Sequence, residues 1–433
     1  MRKLFLIMLW MACSFSVQAE DRQQVLRVAN WVDYMDLDLI PEFEEWYYHT
    51  TGEKIRVDYN TYTMPDTMYY QVANEHYDYD VCCPPEYLVE RMMRHNLLLP
   101  IDTVDFLSRG VPNWMKGTAA FLDDAIQQYG DVYNVHSKTY AVPFQWGTTS
   151  VVFNTKYVKR EEVESWDFLF NSKFKGKIRI KDAFSDLFTI LTLYSGYKDV
   201  EEGRISRNQL AGNLTNENLA LIRDLLERMR PQIVGWEFDD GKERMASGED
   251  WLAVTWNGDG QWAVNHAGPG VNLDVIVPKE GSDLWVDCWV IPSYAGNVKA
   301  ASYWINFMSQ YEHAIRCMKV TNWPSAIATP ETLKALKDST LKETIDLSYF
   351  FGPDGKTAHI NPLIYSYPDN SVVGRLAIMR DVGDRMEDVR DIWDQIKNSG
   401  VHHESMVNWL VGAVVLLIIL VAVAFFWWKK KRQ

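Results

Sequence analysis

The sequence predicts an α/β fold of two lobes, followed by a C-terminal transmembrane helix. Segments with strand character alternate with segments of helical periodicity, as in a parallel sheet covered by helices. The chain of 433 residues is too long for one hydrophobic core, since single cores seldom exceed about 250–300 residues. Residues 409–428 form an uninterrupted apolar run of about 20 residues, the length that a helix needs to cross a bilayer.

The first part of the chain shows the alternation most clearly. Each apolar run with strand character is followed by a segment whose apolar residues recur at steps of three and four. Gly52 marks the expected end of the first helix. Strands are predicted at Val25–Trp31, Lys54–Tyr59 and Asp80–Cys83, and helices at Leu37–His49, Met64–Asn74 and Glu86–Arg94.

The rest of the chain continues the alternation. Strands are predicted at Gly147–Asn154, Gly176–Ile180, Trp251–Trp256, Leu273–Val277 and Leu284–Ile291. Helices are predicted at Leu187–Gly196, Asn216–Arg230, Gly260–His266, Lys299–Met308 and Glu312–Lys319. Residues 374–397 carry apolar residues at steps of three and four, which predicts one amphipathic helix, or two helices interrupted at Gly383.

Both ends of the chain carry membrane signals. Residues 1–19 combine a basic start, a short apolar stretch and a small-residue cleavage pattern, which is typical of a signal peptide; an uncleaved N-terminal anchor is the alternative. Residues 409–428 have tryptophans at both edges and are followed by four basic residues, 429–432. The sequence therefore predicts a protein on the extracytoplasmic face of the inner membrane, with a single-pass C-terminal anchor.

The domain between these signals is strongly acidic and rich in aromatic residues. The formal net charge of the chain is −14, and leaving out the six basic residues of the two terminal segments makes it −20 for the domain. Such a charge disfavours nucleic acid as a partner and favours cations. The 18 tryptophans and 22 tyrosines fill hydrophobic cores or form the walls of a carbohydrate or organic-cation site.

Sequence motifs of enzymes and metal sites are absent. The sequence contains no GxGxxG after a strand, no phosphate-binding loop, no HExxH and no GxSxG. Asp182 and Asp186 lie four residues apart, which fits either a hydrolytic acid pair or a helix start capped by Asp182. We predict no enzyme, no cofactor and no metal, and an anchored extracytoplasmic hydrolase remains the alternative. Four cysteines without metal-type spacing are predicted to be buried thiols: Cys82, Cys83, Cys288 and Cys317.

An ordered series of short motifs begins at Asn30–Tyr34 (NWVDY). It continues through Tyr79–Val81, Pro84, Tyr87, Ala141–Gly147 (AVPFQWG), Asn154, Ser165–Trp166, Lys175–Lys177, Trp256–Gly258, Pro278–Gly281, Trp285–Asp287 and Ile291–Pro292. Over residues 25–397 the chain resembles bacterial periplasmic spermidine/putrescine-binding proteins of ABC transporters. That resemblance implies a periplasmic-binding-protein fold, type II-like, whose two lobes close over a ligand in the cleft.

The resemblance also implies the ligand and the residues that bind it. A polyamine needs flat aromatic walls for its methylene groups and carboxylates for its ammonium groups. The walls would be Trp31, Tyr34, Tyr87, Trp256, Trp285 and Trp323. The carboxylates would be Asp186, Asp259 and Asp287. The implied partners are putrescine or spermidine, an ABC permease and, through the C-terminal helix, the membrane.

The resemblance sets the expected domain boundaries. Lobe 1 is expected at 20–143 and 285–325, and lobe 2 at 144–284 and 326–398, the last segment including the C-terminal helices. A tether at 399–408, the transmembrane helix at 409–428 and a cytoplasmic tail at 429–433 would follow.

Three positions set this chain apart from the spermidine-type pattern. Pro85 replaces the serine that is usual in the family, and Ala183 replaces a second acid near Asp186. Asp259 matches the putrescine-preferring pattern instead. The alternatives are the same fold with another small solute, such as an amino acid, a sugar or a metal chelate, and a receptor that reports its ligand to a membrane partner.

Overall fold

The computed structural model describes residues 22–101, 140–237, 240–338, 340, 344–360 and 367–398. The chain divides into two compact units. Unit 1 holds the described residues up to Gln145, with Val286–Thr321 and Ser325–Ala335. Unit 2 holds Trp146–Trp285, Asn322–Pro324 and the described residues from Leu336 onward. Each unit has its own sheet and helices, so the two-lobe α/β part of the predicted fold class is confirmed.

Strands and helices alternate up to Arg94, as the sequence predicts, whereas several helices follow one another after Lys181 and after Trp289. The strands are β1 (Val25–Trp31), β2 (Arg56–Tyr62), β3 (Val81–Cys82), β4 (Val142–Gly147), β5 (Thr149–Asn154), β6 (Ile178–Lys181), β7 (Ile233–Glu237), β8 (Leu252–Trp256), β9 (Leu273–Ile276), β10 (Ser282–Trp289) and β11 (Leu376–Ile378).

The helices range from single turns to about four turns. They are α1 (Leu39–Thr51), α2 (Pro65–Tyr70), α3 (Glu86–Arg94), α4 (Phe184–Ser195), α5 (Tyr197–Glu201), α6 (Arg207–Ala211), α7 (Asn216–Met229), α8 (Gly241–Ser247), α9 (Asn257–Asn265), α10 (Val298–Met308), α11 (Tyr311–Thr321), α12 (Pro330–Leu336), α13 (Ser348–Phe351), α14 (Asn370–Val373) and α15 (386–398).

Unit 1 is built on a parallel sheet in the order β2-β1-β3. Helix α1 packs its apolar face into the core of this unit, where the ring of Phe43 lies 5.0 Å from that of Trp304 in α10. The helix ends at Gly52, whose φ of 77° is the left-handed conformation that glycine adopts without strain. The carboxyl ends of β1 and β2 meet at one edge, because Trp31 pairs with Tyr62 in register.

Unit 2 contains a five-stranded sheet in the order β7-β6-β8-β5-β9. β6 runs parallel to β7 and β8, whereas β5 runs antiparallel to β8 and β9. Helix α7 covers this sheet with the apolar face predicted from its spacing. The buried residues of that face include Leu219, Ile222, Leu225, Leu226 and Met229.

Residues 374–397 differ from the predicted helix or pair of helices. Leu376–Ile378 form strand β11, which pairs in parallel with the start of β10, and only residues 386–398 are α-helical. Gly383, with a φ of 55°, lies between the two elements. The strand buries Leu376 and Ala377, whereas Ile378 is half-buried. The helix α15 buries Val389, Ile392, Trp393 and Ile396 in the core of unit 2.

The transmembrane part of the predicted fold class is corrected. Among the helices of the described ranges, none has both the length and the apolarity needed to cross a bilayer. The segment 409–428, for which that helix was predicted, lies outside the described residues, as do the predicted tether, tail and signal peptide. The prediction about the cysteines is confirmed, since all four cysteines of the described residues are buried thiols.

Candidate ligand-binding site

The first group of predicted site residues lies in unit 1, around Asp287 in β10. Trp31 is the last residue of β1, and Tyr34 follows in the turn beyond it. Asp33 between them has a φ of 53°, a left-handed conformation that aspartate tolerates better than most residues. We call Trp31, Tyr34, Tyr62 and Asp287 the Asp287 cluster.

Asp287 accepts two hydrogen bonds inside this cluster. The indole Nε1 of Trp31 donates to Oδ1 over 2.9 Å, and the hydroxyl of Tyr34 donates to Oδ2 over 2.5 Å. The aspartate is only 3% exposed. Both donors are neutral, and none of the ion pairs among the described residues involves Asp287. A buried carboxylate whose hydrogen-bond donors are neutral lowers the stability of the folded state unless a cation pairs with it.

The electrostatics agree with this geometry. Burial raises the pKa of Asp287 from 3.8 to about 7, although the hydrogen bonds from Tyr34 and Trp31 act in the opposite direction. Burial also raises the pKa of Tyr34, and the charge of Asp287 adds to that increase. The tyrosine therefore stays a hydrogen-bond donor, while the carboxylate is poised to lose its proton near neutral pH.

Two further aromatic residues lie in this part of unit 1. The ring of Tyr62 lies 5.0 Å from that of Trp31, and its hydroxyl donates to the carbonyl oxygen of Cys83. Sequence reasoning missed Tyr62, although its place at the end of the strand beside β1 was a usable signal. Tyr87, which was predicted, is buried in the first turn of α3, two residues after Pro85, the bridge partner of Asp287.

The second group of predicted residues lies in unit 2 and is rich in tryptophan. The ring centroids of Trp256, Trp285 and Trp323 lie 5.3–6.1 Å apart in tilted, edge-on pairs. Asp186, in the first turn of α4, accepts a hydrogen bond from Nε1 of Trp256 over 2.6 Å. We call these four residues the Trp256 cluster. Its indole faces and carboxylate provide the same chemistry as the Asp287 cluster.

Two glycines make room for these indoles. A Cβ atom on Gly147 would lie 2.3 Å from the ring of Trp285, and one on Gly258 would lie 2.4 Å from the ring of Trp323. Contacts this short do not occur for real Cβ atoms, so a larger residue at either position would displace a ring. Both glycines belong to motifs that carry the family resemblance, AVPFQWG and Trp256–Gly258.

Asp259, the remaining predicted carboxylate, has a cationic partner within unit 2. Its Oδ2 lies 2.9 Å from Nζ of Lys181, which is also 3.6 Å from Oε1 of Glu237. Lys181 was not among the predicted site residues. The available signal was a lysine at the end of a short strand (IRIK) that the fold buries.

The alternative acid pair, Asp182 and Asp186, is divided between different partners. Asp182 accepts a hydrogen bond from Nε1 of Trp393 over 2.9 Å and pairs with Lys397, whereas Asp186 is bound by Trp256. Asp182 is not the helix cap either, since α4 is capped by Ala183 without a side-chain hydrogen bond. Over the described ranges, no group of three His, Cys, Asp or Glu side chains is arranged to hold a metal ion.

Comparison with known proteins decides the family. The model of the bacterial extracellular solute-binding proteins matches residues 39–344. The chain belongs to this family. It is a family of solute-binding proteins for transport and not a family of enzymes. The resemblance noted in the sequence is thereby confirmed.

Relatives with assigned ligands cover most of the chain. The spermidine/putrescine-binding periplasmic protein of Escherichia coli is 25% identical over 317 residues, which are 73% of this chain and 81% of that protein. The putrescine/cadaverine-binding protein of Pseudomonas aeruginosa is 24% identical over 92% of this chain and 99% of its own length. A spermidine/putrescine ABC transporter substrate-binding protein from Streptococcus pneumoniae shares the fold, with a TM-score of 0.60 at 23% identity over 86% of this chain and 98% of its own.

Proposed function

We propose that this protein captures a polyamine, putrescine or spermidine, outside the cytoplasm and delivers it to an ABC permease. The observation that carries the proposal is Asp287, a buried carboxylate held by Trp31 and Tyr34. An ammonium group would supply the positive charge that this carboxylate requires, and the neighbouring indole would add a cation–π contact. The relatives named above, which bind spermidine, putrescine or cadaverine, support the same ligand class.

We propose that both clusters take part in binding. A polyamine is an apolar chain with ammonium groups at its ends, so it matches aromatic rings that stand beside carboxylates. The Asp287 cluster offers Trp31 and Tyr34 beside Asp287, and the Trp256 cluster offers its three indoles beside Asp186. Tyr87 would add to the walls, as the resemblance implies. No covalent step is part of this function.

Residues 1–19 support the proposed location. We propose that they act as a signal peptide that is removed on export, in accordance with the extracellular family and the periplasmic relatives. Protein prepared from cells can be tested by N-terminal sequencing, which should begin at Glu20. A mature chain that retains Met1–Ala19 would contradict this part of the proposal.

Calorimetric titration of the chain lacking residues 1–19 tests the function. Putrescine or spermidine should bind with a Kd of about 1 μM or tighter and should raise the melting temperature. The neutral isostere 1,4-butanediol is the matched ligand control, because it keeps the chain length and loses both charges. The absence of heat and of thermal stabilisation with both polyamines would reject the proposal. Stronger stabilisation by an amino acid or a sugar would assign a different solute to the same fold.

A further inference from the structure

Tyr62 ends β2 and is the register partner of Trp31, the last residue of the central strand β1. Its ring lies 5.0 Å from the ring of Trp31, at an angle of 48°. Its backbone oxygen accepts a hydrogen bond from the backbone N–H of Val32 over 3.1 Å, so the pairing of the two strands continues one residue beyond β1. Strand pairing therefore places the phenol ring beside the indole that donates to Asp287.

The hydroxyl of Tyr62 fixes the far end of the same side chain. It donates to the carbonyl oxygen of Cys83 over 2.5 Å, and Cys83 directly follows β3, the strand on the other side of β1. The backbone N–H of Cys83 in turn donates to the carbonyl oxygen of Ala29 in β1 over 3.0 Å. Burial raises the pKa of the Tyr62 hydroxyl, so it remains a donor. Tyr62 thus links both strands that flank β1, with its ring against Trp31.

We propose that Tyr62 is a positioning residue of the ligand site, whose anchored ring holds the indole of Trp31 in the orientation in which Nε1 donates to Asp287. This inference rests on the proposed function and extends it, since Tyr62 would act on the ligand through Trp31. A rotation of the indole would lengthen the 2.9 Å hydrogen bond to Oδ1 of Asp287. It would also move the aromatic face that an ammonium group at this carboxylate would meet.

The hydrogen bond from Trp31 provides a readout that a purely structural role would not change. Burial raises the pKa of Asp287 to about 7, and the hydrogen bonds from Tyr34 and Trp31 oppose that rise. The hydroxyls of Tyr34 and Tyr62 and the thiol of Cys83 also interact with Asp287, and all three have raised pKa values, so they stay neutral at neutral pH. A weaker hydrogen bond from Trp31 should therefore raise the pKa of Asp287 further and shift the pH midpoint of polyamine binding upward.

Two substitutions test the inference, because Tyr62→Leu removes the ring and Tyr62→Phe keeps the ring without the hydroxyl. The chain lacking residues 1–19 is labelled with nitrogen-15 tryptophan, and the indole N–H signal of Trp31 is assigned with Trp31→Phe. In ligand-free Tyr62→Leu this signal should move upfield, as expected for a weaker hydrogen bond. Putrescine should bind to Tyr62→Leu about tenfold more weakly, with a pH midpoint about half a unit higher. Tyr62→Phe should stay within about threefold of the wild-type Kd, because its ring still packs against Trp31.

A double variant shows whether Tyr62 acts through Trp31. In a Trp31→Phe background, Tyr62→Leu should weaken putrescine binding by less than about twofold, because the indole that it positions is already absent. Tyr47→Leu is the matched control, since Tyr47 is a buried tyrosine of the same unit whose hydroxyl donates to Glu53 and whose ring packs against Phe43. That variant should lose stability but keep the wild-type Trp31 signal, Kd and pH midpoint. Circular dichroism and thermal melting show whether each variant is folded, and Tyr62→Met replaces Tyr62→Leu if the latter does not fold.

The outcomes distinguish this inference from the proposed function. A wild type that binds neither polyamine overturns the proposed function, and the Trp31 signal of the ligand-free variants then decides the role of Tyr62 by itself. An unchanged signal or an unchanged Kd in folded Tyr62→Leu overturns that role. So does a full additional loss of affinity in the double variant, or an equal loss in Tyr47→Leu. A Tyr62→Phe variant that binds as weakly as Tyr62→Leu overturns the role of the ring.

Discussion

Replacing Asp287 with asparagine should change stability and ligand affinity in opposite directions. The substitution keeps the shape of the side chain and an acceptor for Nε1 of Trp31, and the Tyr34 hydroxyl can accept from the new amide. It removes a negative charge that is buried without a cationic partner among the described residues. The ligand-free protein should therefore gain stability, and an ammonium group of the polyamine should lose its carboxylate partner.

The pKa of Asp287 sets the size of the stability effect. Because burial raises this pKa from 3.8 to about 7, the folded state holds its proton more firmly than the unfolded state. The stability that the protonated Asp287 contributes to the wild type is fully present below pH 3.8 and is lost as the pH rises through 7. Between pH 5 and pH 8 the wild type should lose roughly 3 kcal/mol relative to Asp287→Asn, at about 1.4 kcal/mol per pH unit up to the folded pKa.

Urea unfolding at pH 5 and pH 8, followed by tryptophan fluorescence, measures this difference in the free energy of unfolding. Asp80→Asn is the matched control, because Asp80 is buried in the same unit but pairs with Arg22 and accepts hydrogen bonds from the backbone N–H groups of Arg27 and Asn297. That variant should be destabilised at both pH values. If Asp287→Asn differs from the wild type by the same amount at pH 5 and pH 8, the reasoning about the buried charge is refuted.

Titration at pH 8 measures the other half of the prediction. Asp287→Asn should bind putrescine at least about 30-fold more weakly, since removing one partner of a buried, hydrogen-bonded charge pair costs about 2–5 kcal/mol. Unchanged affinity would show that Asp287 does not bind the ligand, whatever its effect on stability.

Two further substitutions and one reagent test individual contacts. Gly258→Ala should weaken putrescine binding by about tenfold in titrations, because its Cβ would lie 2.4 Å from the Trp323 ring and displace it; equal affinity would contradict the role of that ring. Gly281→Ala should lower the free energy of unfolding in urea by about 2 kcal/mol or more, because φ is +98° and the Cβ would meet the backbone oxygen of Arg375; a stability equal to wild type would contradict this. Burial raises the pKa of the Cys317 thiol to about 12, so Ellman's reagent should modify it only in urea, and rapid reaction of the native chain would argue against its burial.

Much of the fold could be predicted from the sequence, because the spacing of apolar residues indicates which face of a helix or strand is buried. Helix α7 illustrates this, since its apolar positions are the ones that pack against the sheet. The segment 374–397 was predicted wrongly for the same reason. Its apolar residues keep a helical step across Gly383, but β11 gains a partner in β10 that local sequence does not reveal.

The candidate site could be predicted as a set of residues, but the contacts between them could not. Short motifs and the family resemblance suggested which rings and carboxylates to consider, and the structure shows which of them are in contact within each unit. The hydrogen bonds of Trp31 and Tyr34 to Asp287 join residues more than 250 positions apart, so no local pattern predicts them. Tyr62 and Lys181 were missed because their significance depends on strand pairing, with Trp31 in one case and with Glu237 in the other.

Buried carboxylates have different partners in the two units. In unit 2, Asp259 forms an ion pair with Lys181. In unit 1, Asp287 holds a proton up to about pH 7, which a bound ammonium would have to displace. Binding should then release a proton near neutral pH, and affinity should rise with pH until the carboxylate is fully ionised. Titrations of putrescine in buffers of different ionisation enthalpy measure that release. Its absence in the wild type at pH 6.5 would mean that the ammonium does not meet Asp287.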